Sequence, residues 1–237
     1  MNLSIVIPCF NESKNIPLII ACFLQIIQDR KDIEVILVNN GSTDNSANVF
    51  EAELMKLNDE RFRVVKVEKN KGYGFGILAG LSEAKNEVLS WTHADMQTDP
   101  KDVITAFEKY CEYSDPYIFV KGRRENRASG PAFFTWMMQV IASLALNVSL
   151  KDIGAQPKLF SSNFYNDFLK DNSPHDFSLD LYAQYWAVKK GKVIEIPVYF
   201  NQRLHGEAKG GGSLKTRIKV SIRTFKYIFR LKRELAI

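Results

Sequence analysis

Short apolar runs alternate with amphipathic stretches through the first half of the chain. Residues 3–8 (Leu-Ser-Ile-Val-Ile-Pro) are almost continuously aliphatic, as a strand buried on both faces requires, and Pro8 closes the run. Ile16, Ile19, Ile20, Phe23 and Ile27 then recur at helical spacing behind the capping residues Asn11, Glu12 and Ser13. Residues 33–38 form a second apolar run, and Asn39 to Asp44 a turn-forming loop that opens another helix. A third run spans 62–67, a flexible glycine-rich lead-in to a helix spans 72–76, and a fourth run spans 87–91. Strand and helix alternating at this short period predict a parallel sheet with right-handed crossovers, hence a nucleotide-binding α/β fold.

The second half is less regular. The pattern predicts a helix over 101–113, a strand over 117–120, a basic loop over 121–127 and a long uncharged helix over 131–150. Twenty uncharged residues raise the question of a membrane span. Thr135, Gln139, Ser143, Asn147 and Ser149 are scattered through the segment, which favours a buried or membrane-interfacial helix instead. From Asp152 the chain reads as a loop, a short strand, a helix from about Ser161, a helix over 178–190, a β run over 193–200 and a glycine-rich loop over 206–212. A closing helix runs from Leu214 to about Leu235, with Leu214, Ile218, Ile222, Phe225 and Phe229 on one face. Lys215, Lys219, Arg223, Lys226, Arg230 and Arg233 fall on another face. Such a helix suits an anionic bilayer surface, or equally a helix packed on the domain with a solvated basic side.

Composition narrows the classes. The 237 residues are 46% hydrophobic and 25% charged, which excludes disorder and low complexity. Cys9, Cys22 and Cys111 lack metal-ligand spacing and read as reduced structural thiols. The N-terminus enters a strand at once, without signal-peptide character, so a cytoplasmic protein, peripheral on the cytoplasmic membrane face, is expected. A net charge of +5, concentrated near 121–127 and in the closing helix, favours anionic partners such as nucleotide phosphates or a lipid surface. No nucleic-acid-binding motif accompanies it. Nothing sets the oligomeric state, and a homo-oligomer stays open.

The candidate chemistry sits in Trp91-Thr92-His93-Ala94-Asp95-Met96-Gln97-Thr98-Asp99-Pro100. It joins a predicted strand to a helix started by Asp99-Pro100, and open α/β sheets bind ligands at the carboxyl ends of their strands. A carboxylate and an amide oxygen two residues apart suit a hard divalent cation, which would bring phosphates with it; an ordinary polar loop is the alternative.

Several segments together resemble the family 2 glycosyltransferases of GT-A fold, and most nearly the polyprenyl-phosphate sugar transferases (the dolichyl-phosphate mannosyltransferase type). The resembling segments are residues 5–12, 38–44, 70–74, 93–100 and 195–209, and the likeness covers about 1–212. It implies a Rossmann-like, mostly parallel sheet flanked by helices, with a nucleotide-binding half (1–120), an acceptor-binding half (121–212) and an amphipathic C-terminal helix (213–237). It also implies a metal-dependent inverting transferase that moves a sugar from a nucleotide-sugar to a membrane-associated acceptor, either polyprenyl phosphate or a lipid-linked glycan precursor. A nucleotide-sugar-binding or membrane-scaffold protein with weak turnover is the alternative.

By the same resemblance, Pro8, Phe10 and Glu12 hold base and ribose, Asn40 faces the base, and Asp95 and Gln97 hold Mg2+ or Mn2+. His93, in place of the usual aspartate, and Ala94 lie against the donor. Arg203, His205 and Lys209 belong to a lid that meets the diphosphate, with Gly210 to Gly212 letting it move. Asp180 stands near the usual acidic base, and its importance depends on whether the acceptor is a hydroxyl; a capped or solvated helix residue is the other reading. Arg123, Arg124 and Arg127 would face a lipid phosphate. Gln156-Pro157-Lys158 departs from the usual glycine-phenylalanine-arginine. An amide at position 40 suits the alternating edge of uracil better than the two neighbouring donors of guanine, which points to a UDP-sugar.

Overall fold

The computed structural model describes residues 1–126, 129–205 and 214–235; the side chains of 129–135 and 214–219 fall outside the description. Seven strands form one sheet in the order β3-β2-β1-β4-β6-β5-β7. β1 (Leu3–Cys9) pairs in parallel with β2 (Ile33–Asn40) and β4 (Val88–Trp91), and β2 pairs in parallel with β3 (Phe62–Val67). β6 (Lys158–Ser161) runs antiparallel between β4 and β5 (Ile118–Arg124), and β7 (Lys192–Val198) closes the edge in parallel with β5. The chain moves outward from β1 to β3 and returns to the other side of β1 at β4. The carboxyl ends of β1 and β4 therefore flank a topological switch point, where ligands of open α/β sheets bind.

The predicted runs are strands because both sheet faces are covered. On one face Leu3, Ile5 and Ile7 pack with α1 (Ile16–Ile27) and α4 (Lys101–Cys111); on the other Val6, Ile36 and Val38 pack with α3 (Tyr73–Ser82). α2 (Ser46–Leu57), α5 (Ser129–Leu146), α6 (Ser162–Phe164) with its continuing π-helical turn over Tyr165–Leu169, α7 (Leu179–Lys190) and α8 (Leu214–Glu234) complete the layers. Among the described residues no helix is long and apolar enough to cross a membrane.

Several expectations change. β1 continues through Pro8 to Cys9, and α1 starts behind Asn15. The Glu12 carbonyl, rather than a capping side chain, receives the Asn15 and Ile16 amides at 2.8 and 3.0 Å. The glycines after Gly72 lie inside α3 and serve close packing: a Cβ on Gly76 would lie 2.6 Å from the Asn40 amide, and one on Gly80 2.4 Å from Val6. Lys121 to Arg124 belong to β5, not to a loop, because register sets Lys121 beside Glu195 of β7.

On α8 the buried side is Tyr227, Ile228 and Leu231, packed in the same core as Ala142 and Leu146 of α5. Ile222 and Phe229, placed by pattern on the apolar stripe, are 51% and 55% exposed. They lie among the exposed Arg223, Lys226, Arg230 and Arg233. The helix is thus docked by one face and presents a cationic face with two large apolar side chains on the other. Arg127, Lys209 and the 206–212 stretch lie outside the described residues, as do the side chains of Leu214, Lys215, Ile218 and Lys219.

Candidate active site

The loop after β4 is anchored by the Thr92 amide on the Val6 carbonyl (3.1 Å) and folds back through Met96, whose φ is +57°. Asp95 is buried, and its Oδ1 accepts the Gln97 amide at 3.1 Å. Asp99 supplies the start of α4, its carboxylate accepting the Lys101 amide at 2.9 Å as the Asp-Pro pair predicts. The segment after β7 is zipped onto this loop: the Asn201 amide donates to the Gln97 carbonyl (2.7 Å), and Gln97 Nε2 donates to the Asn201 carbonyl (3.1 Å). Two residues further on, Arg203 is carried to Asp95, with Nη2 2.7 Å from Oδ2 and Nη1 3.4 Å from Glu12 Oε1. Glu12, Asp95, Gln97 and Arg203, far apart in sequence, therefore meet at the switch point between β1 and β4. Ala94 is buried in this loop, Pro8 and Phe10 are half-buried at the end of β1, and His205 is exposed.

In the second loop Asn39 and Asn40 are both buried. Asn39 Oδ1 accepts the Ser42 amide (3.1 Å), closing the turn through Gly41. Asn40 turns beneath α3 and donates from Nδ2 to the Gly72 carbonyl (3.0 Å); its Oδ1 is buried without a partner among the described residues. Its amide is thus enclosed against Gly76, with the oxygen shielded from ligands by α3.

On the other side of β4, antiparallel β6 brings Lys158 opposite Trp91 and Lys121. Lys158 has no exposed surface; its Nζ lies 2.7 Å from Asp180 Oδ1 and 3.0 Å from the Ala155 carbonyl. Burial lowers its pKa, against Asp180, which favours the charged form. Gln156 Nε2 donates to the same Asp180 oxygen at 3.1 Å and to Tyr73 Oη at 3.3 Å. Tyr73 Oη lies 3.2 Å from His93 Nε2. Burial and the nearby Asp180 hold the Tyr73 phenol protonated well above its usual range. Burial lowers the His93 pKa although Asp95 and Asp180 favour the cation, so the ring is neutral near pH 7. Asp180 is accordingly an ion-paired residue of the interior, not a capped or solvated one.

The basic residues near β5 are also paired. Lys121, buried, contacts Glu195 Oε1 at 3.2 Å, and burial brings its pKa down to about 8 despite that partner. Arg124 is held by Asp152 through its backbone amide (2.8 Å), Nε (2.9 Å) and Nη2. Its guanidinium is thus engaged by a buried carboxylate. Arg123 is exposed and pairs with Glu125 at 2.8 Å. Tyr73, Gln156, Lys158 and Lys121 were not expected as site residues, although the stretches that hold them, 70–74, 156–158 and 121–127, each stood out in the sequence.

Among the described residues no group of three or more His, Cys, Asp or Glu side chains lies close enough to hold a metal ion. The donor set still fits a hard divalent cation. Glu12 and Asp95 carboxylates already converge on one positive group, the Arg203 guanidinium. Gln97 uses its Nε2 on Asn201, which leaves Oε1 as the amide's coordinating atom. One or two carboxylate or amide oxygens completed by water and phosphate oxygens is the usual way Mg2+ is bound.

The sequence model of glycosyl transferase family 2 matches residues 4–189. The chain is 25% identical over 236 residues to a dodecaprenyl-phosphate galacturonate synthase of Rhizobium johnstonii, covering 98% of this chain and 68% of that protein. It is 27% identical over 211 residues to an undecaprenyl-phosphate 4-deoxy-4-formamido-L-arabinose transferase of Pseudomonas fluorescens, covering 87% and 59%. The chain thus spans about three-fifths to two-thirds of the length of these relatives. Among solved structures it resembles glucosyl-3-phosphoglycerate synthase of Mycobacterium tuberculosis in complex with UDP (TM-score 0.74, 14% identity, 98% of this chain and 80% of that one). It also resembles a mannosyltransferase of Pyrobaculum calidifontis solved with GDP-Man and Mn2+ (TM-score 0.68, 18% identity, 97% and 64%). The fold is GT-A, and the chain belongs to glycosyl transferase family 2 and is a glycosyltransferase.

Proposed function

We propose that the protein transfers a sugar from a nucleotide-sugar to a polyprenyl phosphate held in a membrane. The observation that carries the acceptor class is the Lys158–Asp180 pair at 2.7 Å. A hydroxyl acceptor needs a general base, and a phosphate does not, being already ionised. Asp180 would have to give up a buried ion pair to take a proton, so the arrangement suits an acceptor that brings its own negative oxygen. The polyprenyl-phosphate acceptors named in the relatives agree with this choice.

In the proposed reaction an acceptor phosphate oxygen attacks the anomeric carbon of the donor, the bond from that carbon to the diphosphate oxygen breaks, and nucleoside diphosphate leaves in a single inverting step. Asp95 and Gln97 would hold Mg2+ or Mn2+, which when bound supplies positive charge to the departing diphosphate. Glu12, Pro8 and Phe10 would orient base and ribose. Arg203 would exchange its carboxylate partners for phosphate oxygens, with Lys209 as a further cation and His205 as a further hydrogen-bonding group. Position 40 lacks the carboxylate that would suit the paired donors of guanine, and a UDP-sugar is favoured on that ground.

The outer face of α8 is proposed to rest on the anionic membrane surface, Ile222 and Phe229 entering the interface and Arg223, Lys226, Arg230 and Arg233 meeting headgroups. Incubation with UDP- and GDP-sugars, Mg2+ or Mn2+ and undecaprenyl phosphate tests the whole reading. Release of nucleoside diphosphate with formation of a glycosyl phosphoprenol supports it. Metal-dependent donor binding with no release of diphosphate would overturn it in favour of a binding protein without turnover.

A further inference from the structure

A chain of side chains crosses from the acceptor half of the site to the loop after β4, and the acceptor at one end of it orders the protons along it. Asp180, paired with Lys158, accepts only, so the Gln156 atom facing it at 3.1 Å is the amide nitrogen. That nitrogen's second proton is directed to Tyr73 Oη at 3.3 Å, and the phenol proton, which also needs an acceptor, has His93 Nε2 at 3.2 Å. A neutral imidazole carries one N–H, so a ring that accepts at Nε2 is protonated at Nδ1. The other end agrees, since Nδ1 is the nitrogen that faces a carboxylate oxygen, Asp95 Oδ2, at 4.0 Å. Tyr73 is held in place by stacking on Phe177, with ring centroids 4.9 Å apart and planes 14° from parallel.

We infer that Tyr73 is a positioning residue that, through this relay, holds His93 as the Nδ1–H tautomer and so turns an uncharged hydrogen-bond donor toward the Asp95 side of the site. The 4.0 Å gap to Asp95 is longer than a direct hydrogen bond. The N–H is therefore placed to serve a hydroxyl or phosphate oxygen of a ligand lying between His93 and Asp95. A second carboxylate at position 93 would instead set two like charges side by side. The inference deepens the donor-site reading, and only the identity of the ligand oxygen rests on it.

The tautomer is read directly by two-bond 1H–15N correlation spectra of 15N-histidine-labelled, ligand-free protein at pH 8, above the ordinary histidine range. Only His93, His175 and His205 contribute, and His93→Gln identifies the signals by their loss. In the wild type His93 is expected to show a protonated Nδ1 and a bare Nε2. In Tyr73→Phe, with no phenol proton to accept, the pattern shifts toward Nε2–H while the His175 and His205 signals stay in place. A wild-type His93 protonated at Nε2 overturns the inference without any variant, and so does a Tyr73→Phe spectrum that keeps the wild-type pattern. Affinity for UDP in the presence of Mn2+ should fall by up to tenfold in Tyr73→Phe. Since the spectra need no turnover, a failed transfer assay leaves the tautomer result standing, and a wrong tautomer leaves the transfer reading standing.

Discussion

Replacing Lys158 by Met isolates the buried charge pair on which the acceptor reading rests. Met keeps the stem that fills the space beside Trp91 and removes the ammonium 2.7 Å from Asp180. Breaking a buried pair from one side costs about 3–5 kcal/mol because the remaining charge is uncompensated. The carboxyl can escape by taking a proton. From an unfolded value of about 3.9, doing so at pH 7 costs about 4 kcal/mol, at about 1.36 kcal/mol per pH unit. Both routes give a loss of about 4 kcal/mol at pH 7.

The sign of the pH dependence follows. In Lys158→Met the folded-state pKa of Asp180 lies above its unfolded value, so the variant binds more protons folded than unfolded and loses stability as pH rises. Its deficit against wild type should shrink by about 2.7 kcal/mol between pH 7 and pH 5. Urea unfolding at both pH values measures this, and adding Asp180→Asn should restore a large part of the loss, giving a coupling energy of about 2–4 kcal/mol. A Lys158→Met variant within about 1 kcal/mol of wild type at pH 7, or a deficit equal at both pH values, would refute the reasoning.

Other outcomes can be checked alongside. Asp102, half-buried in the first turn of α4 beside Asp99, has its pKa raised to about 6 by burial first and by Asp99 second. Its folded-state pKa exceeds the ordinary aspartate value of about 3.9, so its destabilising effect grows as pH rises between these values and is complete above about 6. Asp102→Asn should therefore stabilise by about 1 kcal/mol at pH 7.5, after allowance for solvent screening, with the gain gone below pH 4 in chemical denaturation. Ile228→Ala, which empties a fully buried contact of α8, should cost about 2–5 kcal/mol in the same assay. Lys226→Glu with Arg230→Glu should abolish sedimentation with anionic liposomes while leaving the melting temperature unchanged, because both side chains are exposed; undiminished binding would remove α8 from the membrane contact. Asp95→Asn should lower Mn2+ affinity in the presence of UDP at least tenfold by calorimetry, and unchanged affinity would remove Asp95 from the metal site.

β1, β2 and β4 were legible as largely apolar runs covered on both faces, β3 as a half-buried edge run carried by Phe62, Val64, Val65 and Val67, and the loop after β4 because His93, Asp95 and Gln97 stand between such a run and Asp99-Pro100. The antiparallel placement of β6 was not legible. Residues 158–161 carry no mark of direction, yet that direction sets Lys158 against Trp91 and makes Gln156 and Asp180 neighbours. Lys121 read as surface charge because Glu195, the partner that allows its burial, lies on another strand far along the chain. On α8 the periodicity was right; of the predicted apolar face Phe225 packs against the core, whereas Ile222 and Phe229 do not. Tyr227 and Leu231 form the buried side with Ile228, while Ile222 and Phe229 face outward, which hydrophobicity alone does not separate. The Arg203 contact depended on the segment after β7 being zipped to Gln97, a tertiary event with no local signal.

The most direct test of the central claim is a competition of acceptors. With one active nucleotide-sugar and Mn2+, undecaprenyl phosphate and undecaprenol are offered together in detergent, and the lipid products are separated and identified. Glycosyl phosphoprenol with inverted anomeric configuration is expected, and no glycosylated alcohol. Transfer to the alcohol at a rate matching or exceeding that to the phosphate would contradict the claim, since that reaction requires a base the Lys158–Asp180 pair does not offer.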